Sequence, residues 1–220
     1  MIDSGTFGFL KDIFENNNRE WFQDNKNRYQ EARENILDFA AVLITEISRF
    51  DDTIPVDLNP ADCVMRIYRD IRFSKDKTPY KTNFAVAIST NGKNFKGPGY
   101  YVHIEPGNSF VGGGTWHPQS EELKAIRQEI DYNPSEFLQI LHNPKFESYF
   151  QDLDQDDKLK TVPKGYPAEH DLIDYLKLKS FTASHFFKDE ALQGENSFRN
   201  VAAALESLYP LIVFLRQAIV

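Results

Sequence analysis

A chain of 220 residues with 41% hydrophobic and 14% aromatic side chains can bury a sizeable core, and its length favours one globular unit over two. The formal net charge of -8 argues against a long polyanion such as duplex DNA as partner, and the single cysteine, Cys63, excludes an internal disulfide or a thiolate metal cluster. Residues 1–18 lack the basic stretch, apolar run and cleavage site of a secretory signal, and the apolar run LYPLIVFLRQAIV at 208–220 is too short to span a bilayer and holds Arg216, so a cytoplasmic protein without membrane association is expected.

Along the chain, a short apolar segment from Phe7 to Phe14 precedes Asn16, Asn17 and Asn18, whose side chains bond their own backbone and predict a turn. From Asp24, a candidate N-cap, the positions Tyr29, Ala32, Ile36, Ala40, Leu43, Ile47 and Phe50 recur at spacings of three and four, which predicts a long amphipathic helix. The period then changes to two. Val64 to Phe73 alternates Met65, Ile67, Ile71 and Phe73 with Arg66, Tyr68, Asp70 and Arg72, and three further alternating runs follow at NFAVAIS, GYYVHIEP and SFVGGGTW. Four strands with short connections predict an antiparallel meander over residues 64–116. Helices are expected on either side of it, over 1–50 and 118–220: one opening at Pro118, one at Asn133 and Pro134, and a last one over roughly 197–218 with a bend at Pro210. The fold class is therefore α+β, with N- and C-terminal helices covering one sheet face.

Charge is concentrated in this sheet region. Residues 64–83 carry Arg66, Arg69, Arg72, Lys75, Lys77 and Lys81 against Asp70 and Asp76, a net of +4 that leaves -12 for the remainder. If the first three strands are neighbours, one face presents Arg66, Tyr68, Asp70 and Arg72, then small Ala85, Ala87 and Ser89, then Tyr101, His103 and Glu105. That pattern describes a trough floored by alanine and walled by cations, a histidine and carboxylates, suited to a small anion. A solvated sheet face laced with cross-strand ion pairs would produce the same pattern. The run FSKDKTPYKTN reads as a polar loop at the trough's end, with hydroxyl and ammonium donors suited to phosphate.

Other signals are weaker. His103, Glu105 and Asp70 are too sparse a donor set for a metal site, so none is expected, and nothing in the sequence identifies a cofactor. DLDQDD opens like a calcium loop but has Asp157 at the sixth position, where glycine is needed, and Pro163 at the twelfth, where glutamate is needed. GGGT at 112–115 lacks the lysine of a phosphate-cradling loop and marks a bulge or a close backbone approach. Cys63 has no nucleophile signature around it. His117, His142, His170 and His185 show no partner pattern and read as capping or surface residues.

The stretches NNNREWFQDNK at 16–26, RIYRDIRFSKDKTPYKTN at 66–83, GYYVHIEPGNSFVGGG at 99–114, LKAIRQEID at 123–131 and DLIDYLKLKSFTASH at 171–185 together resemble the domain of unknown function 2461 family, a set of conserved hypothetical proteins. The resemblance implies a soluble single-domain protein and carries no activity with it. The polar character of these stretches supports a site in which Arg66, Arg72, Lys77, Lys81 and Arg127 bind a small anionic ligand, Tyr68 and Tyr101 orient it, and Asp70, His103 or Glu105 transfers protons. The alternative is an interaction module that docks an acidic protein or a single-stranded nucleic acid on the basic 66–83 segment.

Overall fold

The structure is a computed structural model and describes residues 1–94 and 97–219. It is an α+β fold with a four-stranded antiparallel sheet in the order β1-β2-β3-β4 and helices toward both ends of the chain. Helices α1 (Ser4–Glu15), α2 (Arg19–Asp24), α3 (Lys26–Ile47) and α4 (Pro60–Cys63) lead into β1 (Phe84–Ile88), β2 (Gly99–Ile104) and β3 (Ser109–Thr115). Then come α5 (Ser120–Tyr132), α6 (Pro134–Leu141), α7 (Pro144–Tyr149), α8 (Ile173–Leu176), β4 (Phe181–Phe187), α9 (Asp189–Gln193) and α10 (Ser197–Ala218).

The chain forms two compact units. The first takes in Met1–Phe95, Tyr101–Val111 and Phe186–Ala203. Its Asn triplet makes the expected turn: Asn16 closes α1, and the Asn18 carboxamide oxygen caps α2 by accepting from the Trp21 N–H at 2.9 Å. Asp24, expected to cap the long helix, instead ends α2, and α3 starts after Asn25. The buried face of α3 is Ala32, Ile36, Phe39, Ala40, Leu43, Ile44 and Ile47, the spacing of an amphipathic helix. Its first turns meet an aromatic cluster in which Tyr29 stacks on Phe84 at 6.3 Å and Phe22 stacks on Tyr80 at 4.0 Å.

The second unit takes in Lys96–Tyr100, Gly112–His185 and Ala204–Val220. The three glycines of β3 make the close backbone approach expected of them. A Cβ on Gly112 would lie 2.5 Å from the Ala183 carbonyl oxygen, one on Gly113 would lie 2.8 Å from the Gly99 oxygen, and Gly114, at φ +120, sits directly against the Phe181 oxygen. Leu208 and Ile212 of α10 pack over Gly113. α10 continues through Pro210 and is long and apolar enough to cross a membrane, yet 56% of its apolar window is buried inside the protein. Pro118 lies ahead of α5 rather than in its first turn. Gln119 is the N-cap, with its N–H donating to the Glu122 carboxylate at 2.9 Å, while Pro134 does open α6.

Two expectations about strands are corrected. Residues 64–73 form no strand; they make only the isolated bridges Val64 to Val86 and Tyr68 to Tyr80. After Met65 donates to the Ala85 carbonyl, the chain leaves the sheet and returns on itself through Arg69 N–H to Pro79 O and Lys81 N–H to Ile67 O, which makes residues 67–81 an antiparallel arm. The fourth strand is instead β4, within the stretch expected to be helical. FTASHFF alternates Phe181 and Ala183 with Thr182 and Ser184, a period of two that its small and polar residues conceal.

Candidate functional site

The polar face of β2 is built as its alternation requires. Val102 and Ile104 point into the core at 1% and 0% exposure, so Tyr101, His103 and Glu105 share the other face and are partly open. The three are hydrogen-bonded in a row. The Tyr101 hydroxyl is 3.4 Å from His103 Nδ1, and His103 Nε2 is 3.1 Å from Glu105 Oε2. A neutral imidazole carrying its proton on Nε2 fits both contacts, donating to the carboxylate and accepting from the phenol. Phe110, across the hairpin on β3, stacks on the imidazole at 4.8 Å and 15°, and Phe186 packs behind it at 5.4 Å.

Glu105 is the most heavily bonded member. Its Oε1 accepts from the Thr82 hydroxyl at 2.9 Å, and its Oε2 also accepts from the Asn108 amide at 3.0 Å. Burial pushes this carboxyl up, but the bonds from Asn108, His103 and Thr82 outweigh it and hold the group below its ordinary range. The Tyr101 phenol is pushed up, first by burial and then by the Glu105 charge. The backbone at the turn is closed by Ser109, whose hydroxyl donates to the Glu105 carbonyl at 2.8 Å and accepts from the Glu105 N–H at 3.0 Å. Thr82, expected as a hydroxyl donor of the polar loop, is instead spent on Glu105, and sequence reasoning did not mark Asn108, Phe110 or Phe186 as site residues. The hairpin register sets Phe110 opposite His103 and was available from the Pro106-Gly107-Asn108 turn signal; the bond from Thr82 to Glu105 had no such signal.

The alanine-floored trough is not present. Ala85, Ala87 and Ser89 are 2%, 0% and 3% exposed, because β1 is buried at every position instead of only on alternate ones. The cations expected to wall it are dispersed. Arg72 forms a two-point pair with Asp70, Nε to Oδ1 at 2.9 Å and Nη2 to Oδ2 at 2.6 Å. Lys77 donates to the Ile71 carbonyl at 2.8 Å, and Arg69 engages Asp76 and Thr78. Tyr68 lies 5.5 Å from Tyr80 and 6.0 Å from Phe22, on the aromatic cluster rather than with Tyr101. Arg127 belongs to the second unit, where it donates to the carbonyls of Leu176 at 2.7 Å and Leu178 at 3.1 Å.

Arg66 and Lys81 are different. Their charges act on each other, and neither forms a salt bridge among the described residues, although the Arg66 charge also acts on Asp70. Burial, and then the Arg66 charge, holds the half-buried Lys81 ammonium below its ordinary range. Lys81 is also next in the chain to Thr82, whose hydroxyl is on Glu105. Burial pushes the Cys63 thiol up to about 11, with Asp62 adding to it, which keeps the thiol protonated and unreactive at neutral pH. Among the described residues no group of three or more His, Cys, Asp or Glu is placed to hold a metal ion.

A family model described as "Conserved hypothetical protein (DUF2461)" matches residues 5–214. No curated protein and no solved structure matches the chain.

Proposed function

We propose that this chain, which belongs to the conserved hypothetical protein family DUF2461, binds a small phosphate- or carboxylate-bearing ligand. Arg66 and Lys81 supply its cationic contacts, and the Tyr101, His103 and Glu105 face is tied through Thr82 to the residue after Lys81. The observation that carries this reading is the Arg66 and Lys81 pair. The two like charges repel each other, the half-buried Lys81 loses hydration, and neither cation is in a salt bridge among the described residues, so an anion between them removes both penalties. The other cations bonded within the arm, Arg69, Arg72 and Lys77, already have partners there and shape it. Thr82 fastens the arm's return segment to Glu105, which brings the root of Lys81 to the hydrogen-bonded row. In that row Glu105 is the proton acceptor for His103, and His103 is the group best placed for proton transfer to a bound ligand. Asp70 is bound to Arg72 and takes no part.

The test is a thermal-shift and calorimetric titration with inorganic phosphate, sugar phosphates, nucleoside monophosphates and dicarboxylates. At least one should raise Tm, by about 2.7 kcal/mol of added stability at a hundredfold excess over Kd. Lys81→Met should abolish that response while leaving the unliganded Tm unchanged or higher, because it removes an unpaired, partly desolvated charge. Stabilisation by none of these compounds, together with salt-sensitive binding of single-stranded RNA, would overturn the small-ligand reading in favour of an interaction module.

A further inference from the structure

A second constellation lies wholly within the second unit and shares no residue with the site above. Directly after β3, Trp116 is 71% exposed, although it follows a strand buried almost throughout. The next residue, His117, holds a φ of +43, in the left-handed region that costs a non-glycine residue about 1 kcal/mol or more. Three ties keep it there. Its N–H donates to the Ser180 hydroxyl at 3.0 Å, its Nε2 lies 3.3 Å from Asp157 Oδ2, and its ring stands perpendicular to the indole with centroids 4.7 Å apart. Asp157 is itself fixed, because its Oδ1 accepts from Lys179 Nζ at 2.6 Å and its carbonyl accepts from the Lys179 N–H at 3.0 Å.

A large apolar ring is thus held out in solvent beside an aspartate that faces a histidine and a lysine. The carboxylate orients the imidazole through Nε2. The Nδ1 atom has no hydrogen-bond partner among the described residues, and with the Nε2 proton directed at the carboxylate it is left as an acceptor. His117, Asp157 and Lys179 are half-exposed, with side-chain exposures of 50%, 34% and 40%, so their remaining hydrogen-bonding capacity faces solvent.

We propose that Trp116, His117, Asp157 and Lys179 form a binding site for a neutral sugar ring. The C–H face of a pyranose lies on the indole, and its hydroxyls, each both donor and acceptor, donate to His117 Nδ1 and Asp157 and accept from Lys179 Nζ. A nucleobase would also stack on Trp116. Its phosphates, however, would meet the Asp157 carboxylate held in the site, and that charge disfavours an anionic ligand.

The experiment is saturation-transfer NMR on the full chain with maltohexaose, cellohexaose and chitohexaose, and with adenosine as counter-probe. At least one hexasaccharide should give a signal that saturates in the millimolar range and is weakened about tenfold or more in Trp116→Ala. Because Trp116 is exposed, that variant keeps its circular dichroism. His117→Gly removes the backbone strain, so its Tm should equal or exceed the parent's while sugar binding is lost, a separation that a purely structural histidine would not give. The proposal is overturned if no hexasaccharide gives a signal, if the signal survives Trp116→Ala or His117→Gly, or if adenosine binds and the sugars do not.

Discussion

Glu105 shows how a single carboxylate can tie local structure to acid sensitivity. Burial opposes its charge, and donors from a turn, a strand and the arm overrule burial, so the folded protein favours the ionised form more than the unfolded chain does. The resulting stability is fully present above the unfolded-state value of about 4.3 and is lost as pH falls through the lower folded value. Glu105→Gln should therefore flatten the acid limb of a plot of urea midpoint against pH between about pH 5 and pH 3, with little change in slope above it. A mutant that kept the full acid limb would show that other carboxylates carry it. Tyr101, His103 and Glu105 were legible as one face because β2 alternates strictly and its apolar partners Val102 and Ile104 are unambiguous. The partners of Glu105 were not legible. Thr82 reaches it only because the chain bends between Lys81 and Phe84, and no periodic pattern encodes a bend.

At the scale of elements, alternation alone does not make a strand. Residues 64–73 carry the period of a strand, but their polar members bond to near neighbours, Asp70 to Arg72 and Arg69 to Asp76 and Thr78, and these local bonds compete with a sheet ladder. Asp76 illustrates the strength of that competition. The Thr78 N–H, then Arg69 and the Thr78 hydroxyl, lower its pKa to about 2. Conversely, FTASHFF lacks the run of branched apolar residues that marks a strand, and it becomes one because Gly112 and Gly114 of β3 allow its backbone to approach. Gly114 is the least replaceable of these. Gly114→Ala would impose a side chain on a backbone at φ +120 and press its Cβ into the Phe181 carbonyl, so a loss of about 3 kcal/mol or more is expected by chemical denaturation. Gly107, also at positive φ but with open space around it, should tolerate alanine at a cost nearer 1 kcal/mol.

At the scale of the whole molecule, charge separation matters more than total charge. Six of the 25 basic residues lie within residues 64–83, a stretch of net positive charge in an otherwise acidic chain, and several of those six are consumed by bonds there. A duplex needs a row of cations to release counterions along its length, which this arrangement does not offer. No retardation of duplex DNA is expected in an electrophoretic assay at about 0.15 M salt. A salt-dependent shift there would show that the arm's cations open toward a polyanion. Fold class and family were readable from the sequence, because helix and strand periods and long shared stretches survive in it. The assignment of each cation to a partner was not, because it depends on where the arm folds back.

The side chain of Asn17 carries a consequence for how that arm is kept in register. Its amide donates to the Tyr80 carbonyl at 2.9 Å, and its oxygen accepts from the Tyr80 N–H at 3.0 Å. A carboxamide has the same donor and acceptor geometry as one peptide unit, so the turn between α1 and α2 serves Tyr80 as a substitute strand one residue long. The arm's return segment is therefore held by an interhelical turn 63 positions away in sequence. Opening of that turn should be visible as hydrogen exchange at Tyr80 before it is visible anywhere in the sheet. Asn17→Ala should speed exchange of the Tyr80 amide by about tenfold or more, with the amides of β2 unchanged. If the two sets of amides accelerated together, the latch would belong to global unfolding and not to the arm alone.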